Sequence, residues 1–356
     1  MSIINILKTP LYAAQVASSA KSFKKNPIIG NRQLNEWGLH KKRLLQAHKM
    51  AEKRRKALAD PLESWELREF RRNGFLLYEN YLHDETFLML REELKANPLQ
   101  AWEMKQGQTV TRMAPLGSAA RALCPTTAEV TDNIYLQDRI RFAAGIGGQP
   151  LYFIQTVLTN PSVKKADPQT KVHADTFHST SKAWLFLEDV ALDEGPFSYA
   201  PGSHQLNKLR IEWEYEQSLA ASGDTNNHHA HGSFRASDDD LRAMGYNLPR
   251  PFPVKANTLV IADTFGFHGR TPSEKPTTRI ELHAHMRRNP FLPWNSFDVK
   301  SVPGIRHNEL EIYLGWTRMR ERVFGTRSIW HDVGTLPYKE PSPLMKQVKK
   351  KQPISA

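Results

Sequence analysis

His173-Ala174-Asp175 sets an imidazole and a carboxylate two residues apart. Side chains at i and i+2 of a strand leave the same face, so the two can meet one ion. A third ligand, His268, follows a buried-looking strand over 258–263 and enters the glycine-flanked turn Phe265-Gly266-Phe267-His268-Gly269. Two histidines and one carboxylate make the facial set that holds non-haem Fe(II) and leaves its remaining positions open. Arg279 comes eleven residues after His268, on the next strand. From there a guanidinium can fork onto the distal carboxylate of a bound dicarboxylic acid. The other His-x-acid run, His307-Asn308-Glu309, is followed by His331, but Ser342 stands where the arginine should be. His228, His229 and His231 lie close together without a carboxylate pattern and are expected to be solvated.

Short strands must carry these residues. Gly74–Tyr78, Tyr152–Leu158, Ala183–Leu187, Pro196–Ala200, Thr258–Ala262 and Arg279–Met286 are apolar runs bounded by turn residues such as Asn160-Pro161, Asp167-Pro168 and Pro201-Gly202. No strand–helix–strand alternation appears, which predicts a mainly β core, a sandwich or barrel, with flanking helices. Helices are expected over Leu62–Asn73 and after the capping residue Asp84, with Phe87, Leu88 and Leu94 turned inward. Residues 207–250 are polar and helical, and read as a surface excursion or an active-site lid between core strands.

Charge divides the 356 residues unevenly. The net charge is +12, of which residues 1–60 hold +10 and the last twelve +4, leaving the 61–344 body at −2. Residues 1–60 therefore read as a basic N-terminal arm and 345–356 as a basic tail. Within the arm, Leu44, Leu45, Ala47, Ala51 and Leu58 sit among Lys and Arg at helical spacing, a basic amphipathic helix suited to solvent or to an anionic membrane surface. Ile3, Ile4, Ile6 and Leu7 are cut short by Lys8 and Pro10, so a short anchor is expected and not a secretory leader. Nucleic acid is not the expected partner, because the arm's few aromatic residues, Phe23 and Trp37 with Tyr12, do not make a stacking platform. Cys124 permits no intrachain disulfide, which fits a reducing, cytoplasmic compartment. Gly145-Ile146-Gly147-Gly148 precedes a strand and cannot present a helix N-terminus to a phosphate.

Over residues 74–290 the chain resembles the phytanoyl-CoA dioxygenase superfamily of Fe(II)- and 2-oxoglutarate-dependent oxygenases. The residues that carry the likeness run from Gly74-Phe75-Leu76-Leu77 through Ala183-Trp184, Gly195-Pro196-Phe197 and Pro201-Gly202-Ser203-His204 to His268 and Arg279. The resemblance implies a double-stranded β-helix, or jelly roll. It implies His173, Asp175 and His268 as iron ligands and Arg279 as the partner of the 2-oxoglutarate side-chain carboxylate. By the same likeness Thr176, Gln155 and Trp184 would contact the co-substrate or line its site. Oxidation of 2-oxoglutarate by O2 to succinate and CO2 would then drive hydroxylation of an unactivated C–H bond. Asp175 speaks against halogenation, which needs a small residue at that position. Where the family often has Ser two residues after the distal histidine, this chain has Arg270.

A basic arm ahead of such a body resembles the enzymes that hydroxylate Kdo in lipopolysaccharide. This implies an anionic, lipid-linked substrate at the inner face of a membrane, with Arg112 and Arg270 as candidate contacts to its carboxylate. Acyl-CoA and small secondary metabolites are the alternative substrates. A catalytically idle jelly roll, serving as a scaffold at a membrane or on nucleic acid, is the alternative of another class.

Overall fold

On the strand Ser181–Phe186, Ala183 and Leu185 enter one apolar cluster, whereas Lys182, Trp184 and Phe186 face the other way. That alternation recurs and sets the architecture. The computed structural model of the chain describes residues 9–162, 165–295 and 298–345. Ile3, Ile4, Ile6 and Leu7 and the tail lysines Lys346, Lys349, Lys350 and Lys351 lie outside the described residues.

The strands are β1 (Phe75–Tyr78), β2 (Leu99–Gln106), β3 (Thr109–Pro115), β4 (Leu151–Thr159), β5 (Ser181–Phe186), β6 (Phe197–Tyr199), β7 (Arg250–Pro251), β8 (Leu259–Asp263), β9 (His268–Arg270), β10 (Thr277–Met286) and β11 (His331–Leu336). A large antiparallel sheet has the order β1-β8-β5-β10-β4-β3-β2-β11, and a small one the order β7-β6-β9. Trp184, Phe186, Val260 and Ala262 from the large sheet pack with Phe197 and Tyr199 from the small one. On the opposite face, Leu185, Ile261, Ile280 and Leu282 meet Leu90 and Leu94 of the helix Asp84–Ala96 and Ile140 of the helix Ile134–Ala144. This is the jelly-roll core with flanking helices that the sequence predicts.

The N-terminal segment departs from its expected character. The helix Leu39–Leu58 buries Arg43, Arg54 and Arg55 along with Leu44, Ala47 and Ala51. Arg54 donates to Gly145 O, Pro290 O and Leu292 O, and Arg55 to Phe142 O, Ala143 O and Asp263 Oδ2. These arginines satisfy carbonyls where helices and loops end, so they are interior hydrogen-bond donors and not a solvated basic stripe. Within the described part of residues 1–60, the basic segment is continuous with the body. The 207–250 excursion packs on it: Glu214, in the helix Lys208–Ala220, takes His40 Nε2 at 2.9 Å and Arg210 at 2.8 Å. The β2–β3 hairpin and β11 are not evident from apolar runs, because buried Glu103 and Arg112 read as polar positions.

Candidate metal centre and its cleft

The cleft face of the large sheet carries a polar row. Arg279, Glu281, His283 and His285 alternate along β10 with Ile280, Leu282 and Ala284, which go to the helix-covered core. Gln155 on β4 and Lys182 and Trp184 on β5 share the polar side. Together with Thr111, Met113, Phe153, Phe197 and Arg270, these line a cleft that also takes in His173 and His268.

His173 precedes β5 on a bridge to His268 of β9, with backbone bonds in both directions of 2.8 and 2.9 Å. His173 Nδ1 lies 2.8 Å from Lys171 O, and His268 Nδ1 lies 2.9 Å from Gly266 O. A ring that donates from Nδ1 to a carbonyl keeps a lone pair on Nε2. Asp175 Oδ1 faces both Nε2 atoms, at 3.7 Å from His173 and 3.8 Å from His268. One ligand atom from each residue falls within 4.8 Å of the others, and this is the one such histidine–carboxylate group among the described residues. His268 Nε2 is buried with no hydrogen-bond partner. An orphaned imidazole nitrogen opposite a carboxylate is the donor set of a divalent metal, so the residues fit Fe(II).

Electrostatics keep the ligands in their metal-binding forms. Burial, reinforced by the neighbouring imidazole, pushes His173 well below its usual value, and burial brings His268 to about 4. Burial works to raise the Asp175 carboxyl, but Lys182 foremost, then the two imidazoles, holds it well below the carboxylate range. Lys182 Nζ lies 2.7 Å from Asp175 Oδ2, leaving Oδ1 turned to the histidines. Lys21, delivered by the N-terminal segment, donates to the Asp175 carbonyl. Burial first, then nearby Arg287, lowers its ammonium to about 7. Arg235 and Arg287 also act on Asp175 through their charges.

The arginine expected to hold a dicarboxylate lines the same cleft. Arg279 Nε donates to Glu281 Oε1 at 2.5 Å and Nη1 to Gly195 O at 2.8 Å, which fixes the plane of its guanidinium. Gln155 Nε2 donates to the other oxygen of Glu281 at 2.9 Å. Arg270 lines the same cleft, 3.4 Å from Asp167 Oδ2. His173, Asp175, His268, Arg279, Gln155, Trp184 and Arg270 are thus brought together.

Two expected contacts are not there. Thr176 faces a separate small space beside Lys21, His40 and Glu214, because it alternates with Asp175 and leaves on the other side. Arg112 faces away from the cleft, since Thr111 and Met113, its neighbours on β3, take the cleft side. It is fully buried in a pair with Glu103, at 2.7 and 3.0 Å. Lys182, Glu281, His283 and His285 were not among the expected site residues. Their signal is the polar alternation Arg279-x-Glu281-x-His283-x-His285 within a strand whose other face is apolar. Of the histidines at 228–231, His229 is buried rather than solvated, with Nδ1 3.2 Å from Asp224 Oδ2; neither these nor the run His307–Glu309 forms a three-ligand group among the described residues.

Two facing antiparallel sheets thus carry a two-histidine, one-carboxylate cluster at the cleft between them. Residues 70–236 match the phytanoyl-CoA dioxygenase family. The match includes His173 and Asp175, while His268 and Arg279 lie beyond it. Several solved structures are similar. The 2-oxoglutarate-dependent epimerase SnoN of nogalamycin biosynthesis is 17% identical, over 62% of this chain and 80% of its own, with a TM-score of 0.43. The carbocyclase SnoK of the same pathway is 19% identical, over 64% and 85%, with a TM-score of 0.42. HygX of Streptomyces hygroscopicus, solved with nickel and 2-oxoglutarate, is 16% identical, over 69% and 94%, with a TM-score of 0.40. Among curated proteins none matches significantly.

Proposed function

We propose that this protein is an Fe(II)- and 2-oxoglutarate-dependent dioxygenase that hydroxylates an unactivated C–H bond. The observation that carries the reading is the convergence of His173 Nε2, Asp175 Oδ1 and His268 Nε2 at a cleft that Arg279 also lines. When bound, iron and 2-oxoglutarate would supply, with O2 as oxidant, the oxidising chemistry: one oxygen atom would go to succinate as CO2 leaves and the other to the substrate C–H bond. The chain's own part is positional. His173 and His268 present fixed Nε2 lone pairs, and Lys182 turns Asp175 so that one oxygen faces them. Arg279, held in plane by Glu281 and Gly195, receives the distal carboxylate of the co-substrate. Trp184, Phe153 and Phe197 give the cleft an apolar wall that excludes water from the reacting carbon.

The substrate is proposed to be anionic, and a lipid-linked sugar acid of the Kdo type fits that description, handled in the cytoplasm at the inner face of a membrane. What supports it is charge. Lys21, Lys182, Arg235 and Arg287 surround the single carboxylate of Asp175, and Arg270 stands near Arg279. A dicarboxylate co-substrate leaves part of that positive charge for a second anion. Among the described residues no helix is long and apolar enough to cross a membrane. The test is succinate formation from 2-oxoglutarate with purified Fe(II)-loaded protein, screened with and without Kdo-lipid A, acyl-CoA and neutral sugars. Iron-dependent succinate stimulated by the anionic sugar supports the reading. Correctly folded protein that retains no iron and makes no succinate would favour the idle scaffold.

A further inference from the structure

The helix Glu309–Phe324 turns a large apolar face to solvent. Its buried side chain, Leu314, packs with Met113 and Phe153, which also line the metal cleft. On the outer side, Ile312, Trp316, Met319 and Val323 recur at i, i+4, i+7 and i+11, which aligns them along one face. They are 53, 54, 43 and 65% exposed, and Tyr313 and Phe324 beside them 54 and 68%. Single exposed apolar residues need no explanation, but six in a row on one helix face do.

Charge identifies the occupant. Arg318, Arg320, Arg322 and Arg327 are all exposed, and among the described residues Arg320, Arg322 and Arg327 have no carboxylate partner. At 100° per residue Arg320 falls inside the apolar face, between Tyr313 and Trp316. Against a second copy of this chain, that guanidinium would have to be desolvated amid an apolar contact. At a lipid surface it can extend to the headgroups while its neighbours enter the acyl boundary, and Trp and Tyr suit that level. We infer that the helix Glu309–Phe324 is the surface by which this protein docks on an anionic bilayer. Its apolar stripe lies in the interface plane and its arginines lie against acidic headgroups. Trp330, just past the helix, lines the metal cleft, so docking brings the cleft close to the lipid surface. The inference extends the membrane placement proposed above. Its test reads no turnover, so it stands or falls apart from the oxygenase reading.

The test is cosedimentation of the full chain with vesicles of phosphatidylcholine alone or with about one-third phosphatidylglycerol. Binding should require the anionic lipid and weaken with salt. Trp316→Glu with Val323→Glu should reduce partitioning at least tenfold, and Arg320→Gln, Arg322→Gln and Arg327→Gln roughly fivefold each at low salt. Leu88→Glu with Met89→Glu, which alters exposed apolar residues on another helix (57 and 52%), should leave it unchanged. All these positions are exposed, so unchanged circular dichroism is expected of each variant. Equal binding by wild type and the Trp316/Val323 variant would overturn the inference. So would a wild-type dimer in sedimentation that the same variant dissociates, which would make the face a contact between copies.

Discussion

Replacing Arg55 with Met takes a cation out of the interior and leaves its carboxylate behind. In the native chain Arg55 Nη2 lies 2.6 Å from Asp263 Oδ2, and Asp263 is fully buried. The same guanidinium reaches Phe142 O, Ala143 O and Ser179 Oγ, tying the N-terminal helix to the Ile134–Ala144 helix and to the end of β8. Met retains most of the stem, so the cost is chiefly that of an unpaired buried charge, ~3–5 kcal/mol. Set against a total stability of about 5–15 kcal/mol, that is a large fraction. Urea unfolding at pH 7.5, followed by tryptophan fluorescence, should show the midpoint falling by on the order of 1 M or more. The deficit should depend on pH. Burial pushes the Asp263 carboxyl up, and Arg55 counters it. Without Arg55 the folded-state value rises further above the unfolded one, so the folded variant gains a proton first and regains stability as pH falls. The gap between variant and wild type should therefore narrow from pH 7.5 to 5.5, and Asp263→Asn added to Arg55→Met should recover part of it. A loss under about 1 kcal/mol that does not vary with pH would refute the reasoning and return residues 39–58 to the status of a surface arm.

Arg112→Met should lower the urea midpoint by a comparable amount, because Glu103 is left buried and unpaired. The folded fraction should keep its KM for 2-oxoglutarate, and a raised KM with unchanged stability would restore Arg112 to the site. Gly266→Ala should weaken Co(II) binding, read from its visible absorption, by ~10–100-fold. A Cβ there falls 1.8 Å from Tyr199 Oη, and the Gly266 carbonyl holds His268 Nδ1; unchanged affinity would show that the turn yields without moving the ligand. Acid should destabilise the fold already in the range where free histidines titrate. Burial, then nearby Arg55, brings His48 and His204 to about 3. The unfolded chain gains these protons below about 6.5 and the folded one does not. Stability present at pH 7.5 is thus lost progressively towards pH 5, and a flat urea midpoint over that range would contradict it.

That His173, Asp175, His268 and Arg279 come to one cleft was legible, because their chemistry shows in residue type and chain order alone. The strands around them were legible because apolar runs between Gly and Pro turns have few other uses. The N-terminal segment misled because sequence cannot tell a solvated arginine from one that ends its stem at a carbonyl; Arg54 and Arg55 are the second kind. Arg112 and Thr176 were misplaced by a single-residue parity. On a strand or extended segment the adjacent residue faces the opposite way, so nearness in sequence to Thr111 or Asp175 is evidence against sharing their side. Lys182, Glu281 and His283 read as ordinary polar positions until the fold sets them against Asp175, Arg279 and Trp184 respectively. A longer scan for polar residues alternating within apolar strands would have found them.

The most direct test of the central claim is anaerobic titration of the Fe(II)-loaded protein with 2-oxoglutarate, following the visible metal-to-ligand charge-transfer band beside an Arg279→Ala control. A saturating band in wild type, with affinity reduced at least tenfold in the variant, is the predicted result. No band from folded, iron-loaded protein, or equal affinity in both, would contradict the assignment of His173, Asp175, His268 and Arg279 to one oxygenase site.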